Sequence, residues 1–490
     1  CSLVSLRRFS TAATVYTAVS TLGKAMNFLL VPFYTHVVPP DEFGVYSALF
    51  PFYAVMLMIF QYGMPSAIIK FYAEAKTQTD KQEFVSTLFL MQTASALVMS
   101  LVMAVFASPI SLVFIGSSNY ADSIVLIAIS LFIETLGFNL LWLIRSDNRL
   151  VLFAFISLAS LALNIGVAVW LVPKGNYVFN LFLAQVVAAL FTFGVGFVAN
   201  TTLFKLYFNK DLAKKLWQFG YPLLGYGILA VLLDSLDKVL VTRFISKEAG
   251  GIYSVGYRLG MVMAILNVSF RTALLPFFAQ RVESHSPKEN ERLFVQIFSL
   301  YTTGLAVVFL VLSFFVRDFM TIEIFGYALF KQTYLPAATL TPVVLLAYLV
   351  AAPTEFSKAA LTKSGDTKIL LNAVMFSVLI NLALLTLVIT FPLSDTVLTL
   401  QLVALATVAA YLFNVQYFYR KSRTVDTTPY PMCRFFLIVI LATLAVALNE
   451  FGLNSETIWK RVAICAVVVS LIVGIGLVPI WKMRRLKQVL

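Results

Sequence analysis

Ionisable side chains stand inside long apolar stretches of this 490-residue chain, among them Lys24, Glu134, Asp234, Asp237, Lys238, Arg258 and Arg271. In a membrane-spanning helix each would cost roughly 3 kcal/mol, so each needs a partner or a wet cavity. Two arrangements meet that need. In the first the charges pair structurally, Lys24 with Glu134 and Asp234 with Lys238. The second pair stands in the favourable acid-before-base order at helical spacing, and Asp234, Asp237 and Lys238 share about a 100° arc of one helix face. In the other arrangement Lys24, Arg258 and Arg271 turn positive charge towards an anionic ligand in a polar cavity. Phosphate and pyrophosphate fit best, because a guanidinium fork matches their oxygens and an ammonium adds a point charge. Arg258 and Arg271 have no acid three or four residues away, which favours a ligand role for both. Glu355 and Lys358 stand beside a helix breaker, Pro353.

Other chemistry finds no support. The sequence contains no Walker phosphate loop, GxSxG, HExxH or paired carboxylates in an outer loop, so no catalytic residues, metal site or cofactor is expected, and neither a nucleotide-driven pump nor an enzyme. Cys1, Cys433 and Cys465 are scattered without CxxC spacing, and His36 and His285 are isolated. Cys1 at the first position suggests that an initiator residue precedes this numbering. The first apolar run is too long, and too interrupted by Lys24, for a cleaved signal sequence.

The elements that must carry these charges are membrane helices. Hydrophobic residues make up 60% of the chain, charged ones 12%, and mean hydropathy is +0.90, far from the balance of a soluble protein. Fourteen runs are long enough to span, at about 11–38, 43–66, 84–106, 122–144, 150–171, 178–200, 217–241, 250–279, 293–316, 336–361, 368–391, 396–419, 433–449 and 458–481. With the N-terminus placed in the cytoplasm, 25 of the 36 Lys and Arg fall on the inner side and seven on the outer. That bias predicts an even number of spans with both termini cytoplasmic. The net charge of +13 is therefore mostly topology, and no nucleic-acid partner is expected.

The chain also repeats itself. Shifting Thr242, Glu248, Gly251, Ile252, Tyr253 and Ser254 back by 207 positions places them on Thr35, Asp41, Gly44, Val45, Tyr46 and Ser47. At an offset of 206, Thr272–Gln280 falls on Ser66–Glu74. Two blocks in register predict an internal duplication with both copies in the same chain direction, the plan of many transporters. The expected fold class is all-α integral membrane: two parallel-repeat lobes of six helices and two C-terminal helices. The first lobe is expected over residues 1–200, an amphipathic cytoplasmic linker over 201–216, the second lobe over 217–420, and the last two helices with a basic tail over 421–490. In the linker Lys205, Lys210, Lys214 and Lys215 alternate with Leu and aromatic residues, as in a helix lying on a membrane surface. Gly220–Pro222, Pro276, Pro342 and Pro353 are expected to bend or interrupt their spans.

Several motifs in order carry a family likeness: Gly23-Lys24 through Asn27 to Tyr34, Glu42–Tyr46, Tyr62–Pro65, Phe219–Pro222, Asp234–Val239 and Gly251–Val255. Across fourteen runs they cover most of the chain, which resembles the Wzx-type O-antigen and capsule-unit flippases of the multidrug/oligosaccharidyl-lipid/polysaccharide (MOP) exporter superfamily. The resemblance implies a V-shaped pair of six-helix lobes in the cytoplasmic (inner) membrane. It implies alternating access around a cationic cavity that Lys24, Arg258 and Arg271 would supply. The cargo would be an oligosaccharide unit on an undecaprenyl-pyrophosphate carrier, for polysaccharide or lipopolysaccharide biosynthesis. It further implies a coupling ion, H+ or Na+, with Glu134, Asp234 and Asp237 as candidate sites, and glycosyltransferases and a polysaccharide polymerase as partners. Membrane lipids would surround the protein. The same fold supports an alternative, a MATE-like multidrug or organic-cation antiporter, which would need an acidic cavity instead. A membrane enzyme of glycan assembly is disfavoured by the lack of a large outer loop.

Overall fold

In the computed structural model the chain is almost wholly helical. The structure describes residues 22, 23, 26, 29–205, 207–221, 224–284, 286–324, 326–364, 367–450 and 458–489. In order come α1 (Val31–Val37), α2 (Pro40–Gln61), α3 (Gln78–Val105), α4 (Ala107–Ile115), α5 (Ala121–Ser146) and α6 (Leu150–Leu171). After α7 (Tyr177–Ala199), α8 (Lys210–Gly220) and α9 (Leu224–Leu240) the chain enters a long helix, α10 (Lys247–Ser284). The rest comprises α11 (Pro287–Thr321), α12 (Ala337–Ala351), α13 (Thr354–Ser364), α14 (Thr367–Thr390), α15 (Thr396–Ser422), α16 (Met432–Leu448) and α17 (Ile458–Val489). Between α11 and α12, Glu323–Ile324 pairs antiparallel with Tyr327–Ala328.

Eleven of the described helices are long and apolar enough to cross a membrane, so this is a multi-pass membrane protein. α16 is a shorter apolar helix, and α9 is continued by a π turn, Val241–Ile245. The run expected at 11–38 lies mostly outside the described residues. Polar residues at the helix starts set the boundaries. Thr77 and Asp80 form a reciprocal capping box on α3, and the Asp395 carboxylate accepts from the Val397 and Leu398 amides on α15.

The structure departs from expectation at the breakers. α2 ends at Gln61, where the apolar run continued to 66, because the chain turns through positive φ at Tyr62 and Gly63. Gly63 fits this turn for two reasons: its φ is +78°, and a Cβ there would lie 2.5 Å from the Gly220 carbonyl oxygen. Pro342 sits inside α12 without ending it; the chain turns only at Ala352–Pro353. A proline forfeits one backbone hydrogen bond, which a helix packed on most sides absorbs. α10 likewise runs through Pro276 as one helix. Within the expected linker the amphipathic helix is α8, which starts only at Lys210 and runs past 216 to Gly220. The Asn209 side chain accepts from the amides of Asp211 and Leu212 at its start.

The chain divides into two compact units, Cys1–Gly251 and Ile252–Leu490. α9 lies along α2 and so belongs with the first. In that unit the duplicated block meets its own copy. A Cβ on Gly44 would lie 1.9 Å from the Lys247 carbonyl oxygen, and one on Gly251 would lie 1.9 Å from the Pro40 carbonyl oxygen. The offset of 207 that carries Gly251 onto Gly44 also carries Lys247 onto Pro40. Each glycine therefore meets the carbonyl four residues before the other, a reciprocal contact of the kind two copies make about a two-fold axis. The Thr242 hydroxyl lies 2.8 Å from the Lys238 carbonyl and 3.3 Å from the Gly44 carbonyl.

The second unit is held by aromatic packing around Phe298 and Phe356, with Tyr430 and Phe435 against them. α17 docks on α11 so closely that a Cβ on Gly476 would lie 2.0 Å from the Thr303 hydroxyl. At the other end of the same two helices the buried Arg461 guanidinium donates to the Asp318 carboxylate. Arg461→Ala is expected to cost about 3 kcal/mol, the low end for a broken buried pair, because Asp318 is one-third exposed. A thermal melt in detergent measures it; an unchanged melting temperature would show that the pair contributes nothing.

Candidate functional site

The carboxylate of Glu134, on α5, faces other polar side chains of the first unit. Gln185, from α7, donates its amide N–H to Glu134 at 3.3 Å and lies 3.4 Å from the Tyr53 hydroxyl of α2. Asn164, on α6, donates to the Gln185 carbonyl oxygen at 3.0 Å, and the Tyr53 and Ser130 hydroxyls are 3.3 Å apart. Four helices thus converge on one acid. Further along, the buried Asn139 amide donates to Gln92, whose own amide donates to the Gln61 carbonyl at 3.2 Å where α2 ends. A low-dielectric interior strengthens such a network when its members are paired and makes any unpaired member costly. This one offers a carboxylate and neutral oxygens, the donor set for a proton or a small hard cation. Lys24, expected to pair with Glu134 or line a cavity, lies outside the described residues.

On α9, Lys238 reaches back and donates from Nζ to the backbone carbonyl of Asp234 at 3.0 Å. Asp237 is 1% exposed, and its carboxylate accepts from the Lys238 amide at 2.8 Å. The four-residue spacing places the Lys238 ammonium on the backbone oxygen of Asp234.

In the second unit Arg258 and Arg271 stand on α10. Arg258 is half-buried. Arg271, which has no acid three or four residues away on its own helix, finds one on another: its Nε lies 3.7 Å from Glu355 on α13. Lys358 Nζ lies 3.3 Å from the other oxygen of the same carboxylate. Glu355 is 6% exposed, and Arg271 keeps 38% of its side chain exposed. One carboxylate thus sits between two cations, and the cluster carries one net positive charge. Beside it Tyr301 donates to Asn267 and stacks on Phe270 with ring centroids 3.6 Å apart.

The sequence singled out Glu134, Arg271 and Glu355 by charge but missed Gln185, Asn164, Tyr53 and Ser130. Neutral polar residues in apolar helices carry no comparable signal. Among the described residues, no group of three or more His, Cys, Asp and Glu is placed to hold a metal ion.

A family model described as "Polysaccharide biosynthesis protein" matches residues 35–327. No curated protein matches the sequence. Solved structures do. The lipid II flippase MurJ in an inward closed conformation superposes with a TM-score of 0.70 at 15% identity, covering 96% of this chain and 98% of that one. An inward-facing multidrug resistance MATE family transporter of the MOP superfamily gives 0.59 at 12%, covering 84% and 99%. The MATE multidrug transporter DinF-BH gives 0.57 at 17%, covering 87% and 97%. At these identities the likeness is one of fold.

Proposed function

From the premise that the chain belongs to the family of polysaccharide biosynthesis proteins and has the fold of the MOP exporter superfamily, we propose that it is a flippase. Its cargo is an undecaprenyl-pyrophosphate-linked oligosaccharide unit, moved from the inner to the outer leaflet of the cytoplasmic membrane by alternating access. An ion gradient of H+ or Na+ drives it, glycosyltransferases supply the unit, and a polymerase consumes it. Both termini face the cytoplasm. The observation that carries the reading is the family match over 35–327, which includes both copies of the duplicated block.

The physical task is to carry a diphosphate and several sugars past hydrocarbon, where each charge and hydroxyl would lose its water. Fixed cations replace that water while the prenyl tail stays in lipid. Arg258 and Arg271 are thirteen residues apart on one continuous helix. An ideal helix places them about 20 Å apart along its axis and roughly 140° apart around it, so they serve successive positions of the headgroup and not one grip.

The test is depletion in cells followed by rescue. Wild-type protein is expected to restore surface polysaccharide, while Arg258→Gln and Arg271→Gln are each expected to fail at equal protein level. Full rescue by both variants would sink the cationic-cavity reading. Extrusion of a cationic dye without any rescue would favour the organic-cation antiporter.

A further inference from the structure

We propose that Glu355 is the resident occupant of a diphosphate site formed by Arg271 and Lys358, and that it takes up a proton when the headgroup displaces it. This rests on the lipid-diphosphate reading above and names how that cargo is received.

The position of Glu355 is unusual. α12 stops at Ala351, the chain turns at Ala352–Pro353, and Glu355 is the second residue of α13. The start of a helix favours a negative charge, and a broken membrane helix is where transporters place ligand sites. Yet the carboxylate is buried and held loosely. Arg271 approaches only to 3.7 Å, beyond hydrogen-bond length, and Oε2 has no hydrogen-bond partner. Lys358 holds the other oxygen at 3.3 Å. A buried pair built for stability would be short and fully bonded. A carboxylate at these distances is an anion that a better anion can replace.

A diphosphate is that better anion. It offers a guanidinium two oxygens at the spacing of its fork, where the carboxylate now makes a single long contact. Arg271 is open enough to meet it, at 38% side-chain exposure against 8% for Glu355. Charge then decides the fate of the displaced group. A prenyl–diphosphate–sugar carries one fixed negative charge on each phosphorus. With Glu355 ionised, the loaded cluster would hold a net negative charge and a buried carboxylate stripped of its partner, which is costly. With Glu355 protonated, two cations face two phosphate charges and the loaded site is neutral. The step is therefore uptake of one proton from water by the Glu355 carboxylate, with no covalent bond to the ligand.

Among the described residues, the charged or titratable groups around Glu355 are Arg271 from α10, Lys358 from its own helix and Tyr301 from α11. α15 contributes Ser422, bonded to Ser357, and Phe418 under the Lys358 ammonium. Tyr430 packs on Phe356 and donates to Asp426. Burial, then that carboxylate, pushes its phenol well above the usual range, so it stays neutral. Among these groups Glu355 is the carboxylate that faces both cations.

The experiment is calorimetric binding of a short-chain prenyl–diphosphate–N-acetylglucosamine to the full chain in nanodiscs, above neutral pH, in buffers of different ionisation enthalpy. The ligand does not titrate there, so proton uptake belongs to the protein. Wild type is expected to take up about one proton per ligand. Glu355→Gln is expected to take up none and to bind roughly tenfold tighter, since its competing charge is gone. Arg271→Gln is expected to bind weakly. Wild-type binding without proton uptake, or Glu355→Gln binding no tighter than wild type, overturns the inference and leaves the cargo reading standing. If the diester binds neither protein at any pH, the cargo reading falls and this inference with it. The wild-type measurement stands even if Glu355→Gln fails to fold.

Discussion

Gly44→Val and Gly251→Val are each expected to reduce rescue of surface polysaccharide roughly ten- to hundredfold, with the protein still folded in the membrane. A Cβ at either position would lie 1.9 Å from a carbonyl oxygen of the facing helix, far inside van der Waals contact. The obstacle is backbone and not a side chain, so no rotamer change relieves it. Overpacking of this kind costs about 1–3 kcal/mol. That cost falls only on states in which the starts of α2 and α10 touch, so it shifts the population towards states in which they are apart. On the proposed topology this contact lies on the outer side. Valine should then hold that side open and stop the cycle. Reciprocity makes the prediction sharper: the two variants should behave alike, because the contact is the same seen from either copy. A cysteine placed at Ser47, which is 4% exposed, in a background with Cys1, Cys433 and Cys465 changed to serine, reports the opening. It should become reactive to an impermeant maleimide from outside in both valine variants. Wild-type rescue by Gly44→Val, or opening in one variant only, would refute a two-fold closure.

Glu134→Gln is expected to keep the fold and remove ion-driven transport. The amide is nearly the same size as the acid and still accepts from Gln185, so the packing of α5, α6 and α7 around Tyr53 and Asn164 persists. What it lacks is the ability to gain and lose a charge. If this half-buried acid carries the coupling ion, proteoliposomes with the variant should show no H+ or Na+ movement when lipid-linked substrate is added, at an unchanged thermal melt. Glu134→Ala is expected to lower the melt as well, since it leaves the Gln185 amide without this acceptor, a loss of about 1–3 kcal/mol. Ion movement at the wild-type rate in Glu134→Gln would reduce the network to a structural strut.

The fold was legible to the extent that it is local. Apolar runs of spanning length, the duplicated block and the amphipathic character of α8 follow from residue types a few positions apart. The charged candidates Glu134, Arg271 and Glu355 were legible, because an ionisable group in an apolar run is conspicuous wherever its partner lies. The partners were not. Arg271 looked unpaired when judged by its own helix, and its acid, Glu355, stands on another helix far along the chain. Asn164 and Gln185 stand on the next two helices after that of Glu134 and carry no charge to mark them.

The two copies of the duplicated block show where the division falls. Their kinship, their direction and their membrane character are properties of the amino-acid sequence, because composition and spacing survive without coordinates. Their local structures are not: residues 66–74 follow a turn at Tyr62–Gly63, while residues 272–280 lie within one unbroken helix, α10. At the offset of 206 that aligns these two segments, Gly63 falls on Ser269 of that helix, a residue that adopts positive φ far less readily than glycine. That Gly44 and Gly251 touch each other's helices could be learned only from the tertiary structure. A close backbone approach needs glycine at both places, but glycine at both places does not say that the helices meet.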